Sequence, residues 1–236
     1  MIQLKNFSIG YKNNILLKNV ETIFPKGELT ALIGRNGSGK STLLKAICGL
    51  NNTYSGEIII DKENIRDISK NRLASLVSYV NTRRPRVSNM KCKEMVALGR
   101  TPHTLWHGSL SSKDYEIINM AIEKTGMSKY IDRLFDSLSD GEAQKIMIAR
   151  AIAQQTPIII LDEPTSFLDI PSRYELITLL KNLAKEGKTI IYSTHELDLA
   201  LKFSDDIALI DPPRLITLPA SEMIDSPLLN SLIPNI

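Results

Sequence analysis

The stretch Gly34-Arg-Asn-Gly-Ser-Gly-Lys-Ser41 decides the fold of this chain, because it fits the pattern G-x-x-x-x-G-K-S/T completely. An apolar run from Glu28 to Ile33 precedes it and predicts a strand, and Lys40 to Leu50 predicts the helix that follows. Glycines let successive backbone N–H groups turn toward phosphate oxygens, and a helix N-terminus adds positive partial charge. The stretch therefore predicts a phosphate-binding loop.

The residues of this loop have separate expected tasks. Lys40 is expected to reach the β- and γ-phosphates of a nucleotide, and Ser41 to place its hydroxyl on Mg²⁺. The backbone around them would hold the other phosphate oxygens. The predicted nucleotide-binding residues of the loop are Gly34, Arg35, Asn36, Gly37, Ser38, Gly39, Lys40, Ser41 and Thr42.

A second stretch, Ile158-Ile-Ile-Leu-Asp-Glu163, is typical of a fully buried strand that ends in two acids. Asp162 is predicted to hold hydrated Mg²⁺, and Glu163 to orient or deprotonate the attacking water. By themselves the two acids could simply be a turn that closes a core strand. Beside a complete phosphate loop, the catalytic interpretation is the stronger one.

The rest of the chain alternates between strand and helix patterns, which predicts a parallel α/β sheet. A helix is predicted at 171–185. Further strands are predicted at 2–9, 57–60, 76–80, 189–192 and 207–210. From Met90 to about Ala153 the pattern is helical, so the segment 87–155 is predicted to be an insertion into the sheet.

Composition limits the class of protein. The chain has 236 residues, of which 43% are hydrophobic and 23% charged, as expected for a globular protein of one or two closely joined domains. Its net charge of +3 is too small to argue for nucleic acid or an anionic membrane surface as partner. No run approaches the roughly 20 apolar residues of a transmembrane helix, and the first residues lack the apolar stretch of a secretory signal. We therefore expect any action at a membrane to require a partner.

Several reactive side chains carry no site prediction. Cys48 and Cys92 lack metal-binding spacing and are expected to be reduced thiols of a cytosolic protein. His103, Trp106 and His107 are expected to be loop or packing residues, because no metal-ligand pattern includes them.

Over essentially its whole length the sequence resembles the ATPase subunits of ABC transporters. Leu138-Ser-Asp-Gly-Glu142 is similar to the family signature LSGGQ, and Asp162-Glu-Pro-Thr-Ser166 follows it. Ser166-Phe-Leu-Asp169 resembles the D-loop that comes next. His195 matches the switch histidine, and Tyr11 matches the aromatic residue that stacks on adenine.

The resemblance implies a P-loop NTPase (RecA-like) parallel-sheet core with an antiparallel β subdomain and an inserted helical subdomain, in a single nucleotide-binding domain, 1–236. It also implies a head-to-tail dimer with a second copy of the chain. ATP and Mg²⁺ would lie between the phosphate loop of one chain and the signature residues Ser139, Gly141 and Glu142 of the other. The catalytic residues would be Lys40, Glu163 and His195.

The spacing Ser139-x-x-Glu142 also predicts a capping box, which would present a helix N-terminus to the γ-phosphate held by the partner. Asp140 stands where the family usually has glycine. We expect this acid to stabilise the helix through the dipole and to repel the phosphates.

A second departure from the family pattern concerns the strand that ends at Val80. Thr82 falls where a glutamine normally touches Mg²⁺ or water, so Thr82, or Asn81 in its place, is the residue expected to take part of that role. The loop Asn81 to Arg86 that contains them is predicted to contact the membrane subunit. The alternative for its basic run is a solvated turn.

Three stretches resemble the subgroup that serves importers of iron-siderophore, haem and cobalamin: Val96 to His103, Asp169 to Ser172, and Leu199 to Leu201. The implied partners are integral membrane permease subunits and, indirectly, a substrate-binding protein, with no nucleic acid. The implied location is cytoplasmic, at the inner face of the cell membrane. An ABC ATPase for zinc or manganese, or an exporter, stays open as an alternative. A non-transport ABC protein is disfavoured, because the chain has one phosphate loop and no heptad run.

Overall fold

Two β-sheets and a set of helices form the described part of the chain, which in this computed structural model comprises residues 1–11, 14–104 and 109–231. The strands are β1 (Ile2–Tyr11), β2 (Asn14–Phe24), β3 (Leu29–Gly34), β4 (Tyr54–Ile60), β5 (Glu63–Asn64), β6 (Val77–Val80), β7 (Ile158–Leu161), β8 (Thr189–Ser193), β9 (Asp206–Asp211) and β10 (Arg214–Pro219). The α-helices are α1 (Lys40–Ile47), α2 (Lys70–Leu76), α3 (Cys92–Ala97), α4 (Ser112–Lys124), α5 (Asp140–Ala153), α6 (Ile170–Lys185), α7 (Leu197–Phe203) and α8 (Ala220–Met223). Short 3₁₀ helices cover Leu98–His103, Ser128–Tyr130, Phe135–Ser137 and Pro227–Ser231.

The larger sheet has the strand order β10-β9-β3-β8-β7-β6. Neighbouring strands from β9 to β6 are parallel, and β10 joins the edge in antiparallel orientation. All residues of β7 are buried, as the uninterrupted aliphatic run of that strand predicts. The predicted parallel α/β core is confirmed.

Both faces of the larger sheet are covered, and the side chains of β7 show how. Ile158 and Ile160 pack into a core shared with α1 and the smaller sheet, whereas Ile159 and Leu161 pack into a core shared with α3 to α7. Successive side chains of a strand point to opposite faces, so this division follows from the pleat. Burying each of these branched side chains contributes about 1.5–3 kcal/mol.

The smaller sheet is antiparallel, with the order β2-β1-β4-β5. The strand predicted at 2–9 extends to Tyr11, and in the register of the first two strands Ile2 pairs with Phe24 and Tyr11 with Asn14. The confirmed antiparallel sheet thereby carries Tyr11 to its outer end, next to the phosphate loop.

Helices α3, α4 and α5 lie between β6 and β7 in the chain and pack on one another. A buried ion pair joins them: Nε of Arg100 donates to Oδ1 of Asp114 at 2.8 Å, and Nη1 donates to the carbonyl of Ala153 at 2.8 Å. Breaks at Gly99 and Pro102 fall in the 3₁₀ segment, so the helical pattern is divided between several short elements. These helices form the inserted helical subdomain of the predicted fold.

Several predicted boundaries differ from the observed ones by one to three residues, and two of them have a clear local cause. Helix α1 ends at Ile47 instead of Leu50, because Gly49 turns into the left-handed region with φ of 68°. The strand predicted from Leu76 begins at Val77, since Leu76 is still the last residue of α2.

The residues without a site prediction are accounted for where the structure describes them. Cys48 and Cys92 are both free thiols. Nε2 of His103 is hydrogen-bonded to the carbonyl oxygen of Gln154 at 2.7 Å, and Trp106 and His107 lie outside the described residues. In the described ranges, none of the helices has the length and apolar character needed to cross a membrane.

Candidate functional site

The phosphate loop joins β3 to α1 and lines an open cavity of about 320 Å³. Gly39, the residue before the helix, has φ of 106°, a left-handed conformation that glycine adopts without a steric penalty. The residues around the cavity are Tyr11, Asn14, Leu16, Asn36, Gly37, Ser38, Gly39, Lys40, Ser41, Thr42 and Glu163. The fold therefore brings the loop, the predicted adenine-stacking tyrosine and the predicted catalytic glutamate to one place.

Lys40 is buried inside the loop, with 6% of the residue exposed. Its ammonium donates to the carbonyls of Gly34, at 2.8 Å, and Arg35, at 3.2 Å. Burial lowers the pKa of Lys40, and the charges of Glu163 and Asp162 offset part of that effect. The ammonium of Lys40 is buried and bonded only to neutral carbonyls and would therefore bind an incoming anion strongly, because the anion stabilises the charged form of the lysine.

Tyr11, at the end of β1, and Ser38, in the phosphate loop, also line the cavity. The hydroxyl of Tyr11 is 3.2 Å from Oγ1 of Thr42, and the tyrosine is otherwise more than half exposed, so its ring is free to stack on a flat ligand. Oγ of Ser38 is buried and, within the described ranges, has no hydrogen-bond partner. Buried polar groups are normally paired, so an unpaired hydroxyl in this loop fits a phosphate-binding role.

Asp162 stands at the end of β7 with its carboxylate almost fully buried. Its Oδ1 accepts hydrogen bonds from Oγ of Ser41, at 3.0 Å, and from Oγ of Ser193, at 2.7 Å. Its Oδ2 accepts the hydroxyl of Tyr79 at 3.4 Å. The first serine belongs to the phosphate loop, so this carboxylate connects the loop to the neighbouring strands.

The pair of Ser41 and Asp162 offers a hydroxyl and a carboxylate, which are hard oxygen ligands of the kind that Mg²⁺ prefers. Among the described residues, no three His, Cys, Asp or Glu side chains come together in a metal-binding cluster. The residues fit a magnesium ion that takes its other ligands from nucleotide phosphates and water. Thr82 lies close by, with its Oγ1 donating to the backbone carbonyl of Asp162 at 2.8 Å.

Glu163 follows directly with φ of 48°, an uncommon conformation for a residue with a side chain. Two hydrogen bonds stabilise this conformation. The N–H of Glu163 donates to Oγ of Ser193 at 2.9 Å, and its Oε2 accepts a hydrogen bond from Oγ of Ser166 at 3.2 Å. Nε2 of His195 lies 2.8 Å from its Oε1. The structure thus pairs two of the three residues that the resemblance assigns to catalysis.

Ser193 and Tyr79 contact Asp162, but the sequence did not identify either as a site residue. Both lie on parallel neighbours of β7: Ser193 ends β8, whose Tyr192 pairs with Leu161, and Tyr79 is the residue before the last of β6 and pairs with Ile160. Because the carboxyl ends of neighbouring parallel strands meet at one edge, a polar residue that ends the next strand is a candidate for the same site.

The signature residues line a different cavity, of about 600 Å³, which shares no lining residue with the first. Helix α5 begins at Asp140, and the predicted capping box is present: Oγ of Ser139 accepts the N–H of Glu142 at 3.3 Å, and the N–H of Ser139 donates to Oε2 of Glu142 at 2.8 Å. Gly141 is required here, because a Cβ would lie 2.8 Å from the carbonyl oxygen of Phe167. One chain alone therefore does not bring the signature to the phosphate loop.

Arg84, in the loop after β6, is bonded within the chain. Its Nη1 donates to the carbonyl of Leu138 at 2.8 Å and lies 3.6 Å from Oδ1 of Asp140. Arg83 and Arg86 of the same loop are exposed. The predicted contact of this loop with a membrane subunit stays a prediction, and the exposed arginines are the ones that could make it.

Comparison with known proteins agrees with this geometry. The family model described as ABC transporter matches residues 17–166. The iron(3+)-hydroxamate import ATP-binding protein FhuC of Bacillus subtilis is 35% identical over 204 residues, which is 86% of this chain and 76% of that protein.

Solved structures are similar over nearly the whole fold. One, described as an ABC transporter of metal-chelate type in an inward-facing conformation, has a TM-score of 0.86 at 27% identity and covers 98% of this chain and 88% of its own. Another, the dimeric ATP-binding cassette MJ0796 in a post-hydrolysis state with ADP and Pi, has a TM-score of 0.82 at 27% identity and covers 93% of this chain and 99% of its own. The chain therefore belongs to the ABC transporter family and is one of its ATP-binding, ATP-hydrolysing subunits.

Proposed function

We propose that this chain hydrolyses ATP to drive an importer of a metal chelate, such as an iron-siderophore complex. The observation that carries the proposal is that Lys40, Tyr11 and Glu163 line one cavity. His195 is hydrogen-bonded to Glu163 there, and Asp162 to Ser41 of the phosphate loop. The chelate class is supported by two similarities, one to a protein named for iron(3+)-hydroxamate import and one to a transporter of metal-chelate type. Haem and cobalamin belong to the same range of cargoes.

Different residues of the cavity would bind ATP and activate water. The backbone N–H groups of the loop and the ammonium of Lys40 would bind the phosphates, and the ring of Tyr11 would stack on adenine. The carboxylate of Glu163 would orient the attacking water and accept its proton. His195, bonded to the same carboxylate, would hold it in the direction of the γ-phosphate.

Ser41 and Asp162 would hold Mg²⁺, directly or through water, and Thr82 would contact its water shell. When bound, the ion supplies positive charge against the phosphate oxygens. The hydroxyls of Ser193 and Tyr79 would fix the direction in which the carboxylate of Asp162 faces.

The complete site would need a second copy of the chain. Ser139, Gly141 and Glu142 lie at a separate cavity, and in a head-to-tail dimer the signature of each chain would close on the nucleotide of the other. The dimeric structure of the similar cassette MJ0796 supports this arrangement. The whole chain, 1–236, would act as one nucleotide-binding domain with a helical subdomain at about 87–155.

Transport would require integral membrane permease subunits and a substrate-binding protein that delivers the chelate. We place the chain at the cytoplasmic face of the membrane, held by the permease. The name of the related FhuC protein, an import ATP-binding protein, supports this assembly.

The test of the enzyme is ATP turnover by the purified chain with Mg²⁺. Turnover should depend on Lys40, so Lys40→Ala should lose ATP affinity or rate, because the substitution deletes a charge from the phosphate site. Wild-type protein without ATPase activity, alone or with its permease, would overturn the proposal.

The test of the cargo is reconstitution with the permease and binding protein in vesicles. A ferric siderophore, haem or cobalamin on the binding protein should stimulate ATP turnover and enter the vesicles. Stimulation by zinc or manganese instead would assign the chain to the alternative importer class, and movement of a substrate only outward would make it an exporter ATPase.

A further inference from the structure

We propose that Arg84 is a positioning residue for the signature: it neutralises Asp140 and holds the backbone turn that leads into Ser139. The inference rests on the proposed function, because the signature acts on a nucleotide bound by a second copy of the chain.

The guanidinium of Arg84 lies inside the turn that precedes α5. It donates to the carbonyl of Leu138 at 2.8 Å and also to the carbonyl of Phe135, and its Cζ lies 4.9 Å from the centre of the Phe135 ring. Phe135 is fully buried and Leu138 nearly so. The fork of an arginine can donate to two carbonyls at once, which an ammonium on a flexible stem does less well. Arg84 therefore fixes the path of the chain immediately before the helix cap.

The first turn of α5 carries two acids that would approach the partner's nucleotide. The carboxylate of Glu142 is already used inside the chain: the N–H of Ser139 and the hydroxyl of Tyr130 hold its pKa below the ordinary value. Asp140 is 65% exposed and points into the cavity that the signature lines. An unneutralised carboxylate at this position would repel phosphate oxygens.

Nη1 of Arg84 lies 3.6 Å from Oδ1 of Asp140, so the arginine places a positive charge beside that acid. In the open subunit such a pair is weak, because water screens it. Closure of the dimer would remove water from the cavity. The attraction between Arg84 and Asp140 would then become stronger, and so would the repulsion between Asp140 and the phosphates, which the arginine offsets. Arg84 therefore compensates for Asp140, the acid that stands where the family has glycine.

The experiment measures ATP-driven dimerisation in a Glu163→Gln background, which is expected to hold ATP without hydrolysing it. The readout is the ATP concentration that gives half of the protein as dimer, by light scattering. Arg84→Ala is made in two backgrounds, one with Asp140 intact and one carrying Asp140→Gly. Arg83→Ala and Arg86→Ala are the matched controls, since both are exposed arginines of the same loop.

Arg84→Ala should raise the required ATP concentration in both backgrounds, and the increase should be about fivefold larger with Asp140 intact than with Asp140→Gly. A factor of about five is the upper range for the energy of a single exposed charge pair. Both controls should change it less than twofold. Arg84→Lys should recover most of the difference, because it restores the charge but not the fork. That variant also keeps the inference testable if Arg84→Ala does not fold.

The outcomes separate the two proposals. If the Glu163→Gln reference does not dimerise with ATP at any concentration, the ATP-driven dimer of the proposed function fails, and this inference with it. If the reference dimerises but Arg84→Ala has the same effect in both backgrounds, only the inference is overturned. A uniform loss at all the arginines of the loop would also overturn it, because the effect would then be one of general charge.

Discussion

The hydroxyl of Ser193 donates a 2.7 Å hydrogen bond to Oδ1 of Asp162, from the end of the neighbouring strand. The hydroxyl oxygen of Ser193 in turn accepts the backbone N–H of Glu163 at 2.9 Å. One fully buried hydroxyl therefore orients the carboxylate expected at the metal and supports the strained backbone of the residue expected to act on water. Neither acid is positioned by its own strand alone.

Ser193→Ala should reduce the maximal rate of ATP hydrolysis about tenfold and raise the Mg²⁺ concentration needed for half of that rate. The substitution leaves a buried N–H and one side of a buried carboxylate without their partner, a loss on the order of 1–3 kcal/mol. Ser78→Ala is the control, because Ser78 is equally buried in β6, on the other side of β7, but donates only a long hydrogen bond, to the carbonyl of Ile158. If both variants have the same Mg²⁺ requirement as wild type, Ser193 does not position the metal ligand.

Glu163→Gln should keep ATP binding and stop hydrolysis, so that an ATP-bound dimer accumulates. The change keeps the size of the side chain and its contact distance to His195, 2.8 Å from Oε1 in the wild type, but removes the carboxylate that would accept a proton. Gel filtration with ATP and Mg²⁺ measures the dimer. Normal turnover by this variant would remove Glu163 from the catalytic role.

The sequence is most informative where one local pattern has one structural solution. The phosphate loop between β3 and α1, the aliphatic strand before Asp162 and the capping box of Ser139 and Glu142 were all predicted, because each depends on spacing within a few residues. The parallel sheet followed from the alternation of these elements.

The features that the sequence did not reveal depend on tertiary neighbours. Nothing near Arg84 indicates that its guanidinium will meet the carbonyl of Leu138, which lies 54 residues further along the chain. The strand Asn14–Phe24 was also missed, since its exposed polar residues interrupt the apolar pattern. Its pairing with the first strand supplies the order that its own sequence lacks.

The carboxylate of Asp114, which Ser111 and Arg100 bond inside the helical subdomain, should make stability depend on pH. Bonds from the hydroxyl and N–H of Ser111, and from Arg100, lower the pKa of Asp114 from 3.8 to about 2. A depressed carboxyl pKa adds stability that is fully present above the unfolded-state pKa near 4 and is lost as the pH falls toward 2.

Asp114→Asn should therefore be less stable than wild type at pH 7, and the difference in unfolding free energy should shrink as the pH falls from 5 to 3. Urea denaturation across that range measures it. Ser111→Ala should remove part of the same pH dependence, because the Ser111 hydroxyl is the largest cause of the shift. A difference that stays constant down to pH 3 would show that Asp114 titrates normally.

The loop after β6 presents Arg83 and Arg86 to solvent while Arg84 is held by the signature turn. If the loop docks on a permease, the exposed pair would meet acidic groups there in a contact that salt weakens. Arg83→Glu with Arg86→Glu should uncouple transport or assembly and leave ATP turnover by the isolated subunit largely unchanged. The measurement compares turnover of the isolated subunit with turnover and transport in reconstituted vesicles at low and high salt. Lys26→Glu with Lys185→Glu, which reverses two exposed cations outside this loop, controls for the same change in net charge. Assembly and transport at wild-type levels in the doubly reversed protein would mean that these arginines only face water.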